Sequence, residues 1–258
     1  MSIRTTILLL SLLLSGQAQA FGNFADVEIF DRKEGRALPV YERDGRFYVA
    51  GEPGHEYLIR LRNGSHGRVL AVTSVDGVNV VSGETAAPHQ TGYVLSAYEG
   101  MEILGWRKSM ERTAAFFFTK LKNSYAARTG RPNDVGVIGV AVFRERMPEP
   151  EPCCWPLRPF GRAAEDSAGS ARADQPEAAS PPSTQRRREE KLGTGHGRNE
   201  HSVVSYTDFE RASSTPDEVI TIYYDSYKNL QAQGIIPSWR YYSERRPDAF
   251  PGRFVPDP

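Results

Sequence analysis

From about Met147 to Glu190 the chain reads MPEPEPCCWPLRPFGRAAEDSAGSARADQPEAASPPSTQRRREE, and no other feature limits the fold so strongly. The run is rich in Pro, Ala, Ser and alternating charge and almost empty of β-branched apolar residues. It cannot bury enough surface to offset the entropy of ordering it. It reads as a disordered linker, or as an insertion looping out of one fold. Its Arg186-Arg187-Arg188 run suits contact with anionic lipid or polysaccharide, against the plainer reading of a solvated linker face. The expected organisation is a signal peptide over 1–20, a β-rich domain over 21–146, the linker or insertion over 147–191, and a returning strand plus helix over 192–258 packed on the same domain.

The leader rests on Arg4 ahead of the apolar run Ile7 to Leu14. At about 8 residues that run is too short for a hydrocarbon layer needing roughly 20. Ala18-Gln19-Ala20 gives an A-x-A pattern, so cleavage before Phe21 is expected, and no cysteine follows to mark a lipoprotein. No later apolar stretch is long enough to span a membrane. The expectation is a soluble protein of the periplasm or the extracellular space.

Lys+Arg and Asp+Glu both number 32, so no overall positive field exists to draw a nucleic-acid backbone. A dedicated nucleic-acid binder is therefore not expected. Hydrophobic residues are 39% of the chain and the mean hydropathy is −0.50, as a chain with a long solvated segment requires.

Before the linker the signals are of strands. Asp44-Gly45 parts LPVY from RFYV, and Asp76-Gly77 parts LAVTSV from VNVV; each dipeptide tolerates the two positive φ angles of a type I′ turn. Glu56 to Arg62 alternates in its second half before Asn63-Gly64 breaks it. Val27–Phe30, Gly92–Leu95, Met101–Trp106, Ala114–Thr119 and Val135–Arg144 complete the set. The last, VGVIGVAVFR, has apolar residues on both faces and reads as the central strand, with Gly136 and Gly139 permitting close approach. The pattern predicts a mainly β fold, an antiparallel β-sandwich or partial barrel with one C-terminal helix and a long disordered insertion.

After the linker, His201 to Arg211 is extended in composition and predicts an edge strand. Thr215-Pro216-Asp217-Glu218 then resembles a helix start, with the stripe Val219, Ile222, Tyr223, Tyr227, Leu230 and Gly234 as the terminator. The alternative is a strand through ITIYY.

Four stretches, GWRKS at 105–109, SYAARTGRPNDVGVIGVAVFRE at 124–145, GTGHGR at 193–198 and IYYDSYKNL at 222–230, resemble segments of an uncharacterised family of exported proteobacterial proteins with no assigned activity. The resemblance covers most of the mature chain apart from the linker. It implies export and folding as one unit across the linker, and supplies no catalytic residue.

Candidate chemistry is sparse. GTGHG lacks the lysine of a phosphate-binding loop and the preceding buried strand of a dinucleotide site, so the expectation is a corner whose glycines permit close approach. His196 and His201 are five apart, a spacing that converges neither on a helix face nor on a strand face, and they are the metal candidates only in that limited sense; His55, His66 and His89 are scattered on turns. Cys153 and Cys154 adjoin each other in the linker, where a strained disulfide, a link to other chains or Cu(I) binding compete with no duty at all. No G-x-S-x-G or H-E-x-x-H is present.

The most suggestive surface is basic and aromatic. Trp106, Arg107 and Lys108, then Lys120 and Lys122, then Tyr125, Arg128 and Arg131 fall at strand ends or in the loop before the central strand. Guanidinium and aromatic groups together suit sugars, carboxylates and phosphates. The competing reading is a buried Trp106 with solvated lysines around it. The functional expectation is a non-enzymatic binding or envelope-associated protein without a cofactor, its partner an envelope polysaccharide, peptide or protein. The alternatives are a small periplasmic hydrolase whose site is assembled by folding, and thiol or copper handling by Cys153-Cys154.

Overall fold

A computed structural model describes residues 20–147 and 191–237. Residues 1–19, where a leader is expected, the run 148–190 with Cys153 and Cys154, and residues 238–258 lie outside the described residues. In chain order the elements are β1 (Ala20–Phe21), β2 (Ala25–Asp31), β3 (Arg36–Ala37), β4 (Val40–Arg43), β5 (Arg46–Gly51), β6 (Glu56–Asn63), β7 (Val69–Val75), β8 (Val78–Asn79), β9 (Tyr93–Leu95), β10 (Gly100–Ile103), β11 (Gly105–Arg107), β12 (Arg112–Lys120), α1 (Tyr125–Arg128), β13 (Val137–Arg144), β14 (Leu192–His201), β15 (Glu218–Ser226) and α2 (Tyr227–Ala232).

The strands form two sheets. In the first the order is β1-β2-β6-β12-β11, with β3 on β2, β10 on β6 and β14 on β12; in the second it is β4-β5-β15-β13-β7-β8, with β9 on β7. Every pairing is antiparallel except β15 with β5. The architecture is thus a mainly β, two-sheet fold and not a closed barrel. Alternation explains the layering: in β2, Ala25, Val27, Ile29 and Asp31 turn inward, and the residues between them are only half-buried. With Tyr57, Ile59, Leu61, Phe116 and Phe118, the apolar Ala25, Val27 and Ile29 meet Val49, Val75, Ile138, Val140, Val142, Ile220 and Ile222 in one core.

Both Asp-Gly hairpins form as their chemistry demands. Asp44 and Gly45 have φ of 51° and 68°, and Asp76 and Gly77 have 54° and 70°, placing all four in the left-handed region. The central-strand expectation for VGVIGVAVFR also holds. β13 lies between β15 and β7 and is covered twice, with Ile138, Val140 and Val142 in the main core and Ala141 and Phe143 packed on Leu70 and Val72 behind it.

Three local expectations are corrected. The helix does not begin at Thr215: residues 218–226 form β15, and Ile220, Ile222 and Tyr224 are buried with period two. Insertion between β5 and β13 satisfies this β-branched, aromatic run better than a solvated helix would. Among the described residues from 191 on, helix is confined to α2, where the Ser226 side chain accepts from the Asn229 N–H at 3.2 Å and Gly234 at φ 70° carries the terminating turn. Second, GTGHG is not a corner. It is the body of β14, and a Cβ at Gly195 would overlap the Phe117 ring of β12, so glycine serves close approach within a strand. Third, the regular edge strand ends at His201 where 201–211 was expected to supply one. Ser202 and Val204 still donate to the Glu111 and Met110 carbonyls ahead of β12, and the chain then passes to the second sheet, with Phe209 packed on the cluster around Phe143.

Candidate functional site

Trp106 and Arg107 end β11, Lys108 follows them, Tyr125 sits on α1, and His196 comes from β14. These five, with Ser82 and Gly83 from the turn after β8, line a recess of about 230 Å³. Pairing of β12 with β11 on one side and β14 on the other brings Trp106 and His196 to the same face. α1 is set beside them by its own cap: the Ser124 hydroxyl oxygen accepts from the Ala127 N–H at 3.2 Å, and Gly130 at φ 84° ends the turn.

The three rings of the recess form a connected group. Trp106 and Tyr125 centroids are 5.0 Å apart, Tyr125 and His196 5.8 Å, and Trp106 and His196 6.4 Å with planes 10° apart. Trp106 is 3% exposed and meets Phe116 edge-on, so it backs the recess from the core. Its indole Nε1–H is buried without a hydrogen-bond partner among the described residues. Tyr125 is half-buried and His196 exposed.

Arg107 is held by neutral oxygens alone. Its guanidinium donates to the Tyr93 hydroxyl at 3.2 Å, the Ser202 carbonyl at 2.5 Å, the Ser202 hydroxyl at 3.1 Å and the Ser109 carbonyl at 3.4 Å. Lys108 and Arg128 are exposed and form no ion pair among the described residues. Although His196 is largely open to solvent, partial burial of its ring against Trp106 and Tyr125 holds the pKa below its usual value, and the charges of Lys108 and then Arg128 press it further down. Both cations therefore act on the same imidazole. Arg131 lies beyond α1, half-buried, with Nη1 unpartnered among the described residues, and does not line the recess; Lys120 and Lys122 are exposed and do not line it either.

A larger recess, about 330 Å³, lies over β2, β6 and β10. Its Arg60 is already matched, donating to Glu28 at 3.1 Å and to Glu102 at 2.9 Å. Arg62 lines it too, but Asp26, Glu28 and Glu102 set three carboxylates against these two guanidinium groups, so the smaller recess is the better place for an anion.

Sequence reasoning missed two polar clusters. His55 Nδ1 lies 2.8 Å from Asp31, the start of a hydrolase-like dyad. Lys33 can only donate, so the 3.2 Å contact from its Nζ makes Nε2 the acceptor, and no ring nitrogen remains for a serine proton. The second cluster lies in the core. Asp76, fully buried, accepts from the Gly136 and Thr194 backbone N–H groups at 2.8 Å each and from the Tyr224 hydroxyl at 2.5 Å. Thr194 Oγ1 in turn contacts Tyr224 and Tyr57 hydroxyls at 2.6 Å each. Burial, outweighing these donors, pushes the Asp76 pKa up to about 6. Only the turn propensity of Asp76-Gly77 was visible locally, since the side-chain partners of Asp76 lie far along the chain.

His196 and His201 both stand exposed on β14, and among the described residues no three His, Cys, Asp or Glu side chains gather at metal-binding distances. No helix among the described residues is long and apolar enough to cross a membrane. No family model, curated protein or solved structure matches the chain.

Proposed function

We propose that the chain is an exported, non-enzymatic binding protein acting in the periplasm or outside the cell, and that its ligand, a component of the envelope, seats in the recess of Trp106, Arg107, Lys108, Tyr125 and His196. Export is supported by Arg4, the short apolar run and Ala18-Gln19-Ala20. Binding is supported by one observation above the others. Two sheet strands, a helical turn and a loop bring aromatic surface and charge lacking a carboxylate partner to one concavity, on a rigid scaffold.

The test is a titration of the isotope-labelled mature protein with purified envelope polysaccharide and peptide fractions, followed by amide NMR shifts. Shifts confined to residues around Lys108, Tyr125 and His196, with the added material chemically intact, are expected. Shifts centred elsewhere, or steady conversion of the added material, would overturn the reading.

A further inference from the structure

Several arginines of this surface are matched by carboxylates. Arg60 meets Glu28 and Glu102, Arg144 meets Asp217, Arg198 meets Glu56 and Glu200, and Arg32 meets Glu200. Lys+Arg and Asp+Glu are equal in number, so carboxylates are not scarce. At the recess no carboxylate plays that part among the described residues. Arg107 meets only hydroxyl and carbonyl oxygens, and Lys108 and Arg128 have no carboxylate within ion-pair distance among the described residues.

We infer that this recess binds the doubly charged oxyanion of a phosphate monoester. The inference rests on the reading of the recess as the binding site and adds the ligand class. Arg107 and Lys108 line one small concavity, and Arg128, which does not line it, acts on its His196 from the end of α1. A carboxylate, with one negative charge, leaves part of that charge unbalanced, whereas a phosphate monoester carries roughly −1.5 to −2 near neutral pH. Arg107 is pinned by Tyr93, Ser109 and Ser202, so it contributes a fixed positive charge instead of a free fork. Lys108 and Arg128 are exposed and able to close on oxygens. The Ser82 hydroxyl oxygen accepts from the Glu84 N–H at 3.3 Å, which leaves its own proton to donate. His196 completes the set and gains its proton more readily once an anion arrives beside it.

Size limits what enters. At about 230 Å³ the recess is smaller than the roughly 300–1,000 Å³ of sites that enclose a whole small molecule. It accommodates the charged terminus of a ligand whose remainder stays outside. The same terminus occurs on free phosphate, on a sugar phosphate and on a phosphatidate headgroup.

Isothermal titration of the mature protein at pH 7 and low ionic strength tests this with inorganic phosphate, glucose 6-phosphate and phosphatidate vesicles, and with glucuronate as the singly charged comparison. Saturable binding of at least one phosphate probe is expected, at least tenfold weaker in the Lys108→Gln/Arg128→Gln double variant and unchanged in Lys122→Gln. Thermal melting of each variant confirms that the fold is intact. Preference for glucose 6-phosphate marks a sugar phosphate as the source, and preference for vesicles a lipid headgroup; either supports the inference. Glucuronate binding as tightly as every phosphate probe, with the same loss in the double variant, would overturn the phosphate assignment and leave the recess as the binding site. Equal phosphate affinity in wild type and double variant overturns it as well. Silence of all four probes overturns the inference, and the envelope-fraction titration then decides separately whether the recess binds anything.

Discussion

The Tyr224 hydroxyl donates to the Asp76 carboxylate at 2.5 Å, although 148 positions separate the two residues. Asp76 sits in the β7–β8 turn and Tyr224 on β15, so this bond ties a segment before residues 148–190 to one after them. Thr194 on β14 joins both, which makes the network a knot between the flanks.

Asp76 makes stability depend on pH in a stated direction. Its folded pKa, about 6, lies above the ordinary 3.8, so the native state holds a proton that the unfolded chain releases. The contribution is therefore fully present below about pH 4 and is lost as pH rises through 6. A shift of this size corresponds to roughly 3 kcal/mol. Urea unfolding of wild type and Asp76→Asn between pH 4 and 7 measures it, because the variant cannot titrate there. Wild-type stability relative to the variant should fall across that window; a flat difference would dismiss the assignment.

His196 reports the field of the recess. Lys108 and Arg128 both hold its pKa down, after burial, so Lys108→Gln and Arg128→Gln should each raise it toward the usual histidine range. Imidazole resonances followed through a pH titration give the answer. An unmoved midpoint in both variants would mean that these cations do not face the ring.

Gly195 tests the correction made to GTGHG. If close packing on the Phe117 ring is the reason for glycine, Gly195→Ala should cost about 1–3 kcal/mol by overpacking. Gly67→Ala is the control, since a Cβ there meets nothing within 4 Å, and it should stay within about 0.5 kcal/mol. Equal melting temperatures for the two variants would remove the packing explanation.

Local chemistry made much of the fold legible. The Asp-Gly hairpins and the double-sided VGVIGVAVFR depend on their own residues and appear where the sequence puts them. The run from Glu218 to Ser226 misled because its apolar residues fit both helical and alternating spacing; the deciding factor was the vacant lane between β5 and β13, a property of the assembled sheet. GTGHG misled for a related reason, since glycine signals a turn unless something presses on it, and Phe117 lies on another strand. At the candidate site, Trp106, Arg107, Lys108 and Tyr125 were singled out by residue type, and they do share one recess. Ser82 and Gly83 carry no signal in the sequence, and His196 reads there only as a weak metal candidate within a glycine-rich stretch. Their place by the recess arises from pairing of β12 with β14 and from the turn after β8.

The largest prediction concerns the two flanks. β15 pairs with both β5 and β13, and β14 with β12, so residues 20–147 alone leave three strands with an unpaired lane in place of a neighbour. Leu192, Ile220, Ile222 and Tyr224 would also leave the core, each at most 6% exposed in the fold. At about 1.5–3 kcal/mol for each buried side chain, their loss comes to roughly 6–12 kcal/mol. That is comparable to the entire stability of a typical domain, about 5–15 kcal/mol. A fragment of residues 21–147 should therefore show no cooperative unfolding and no slow amide exchange in β13, and both should return when a peptide of residues 191–237 is added in trans. A fragment that melts cooperatively alone, with β13 amides protected, would show that the returning segment decorates a finished domain and does not complete one.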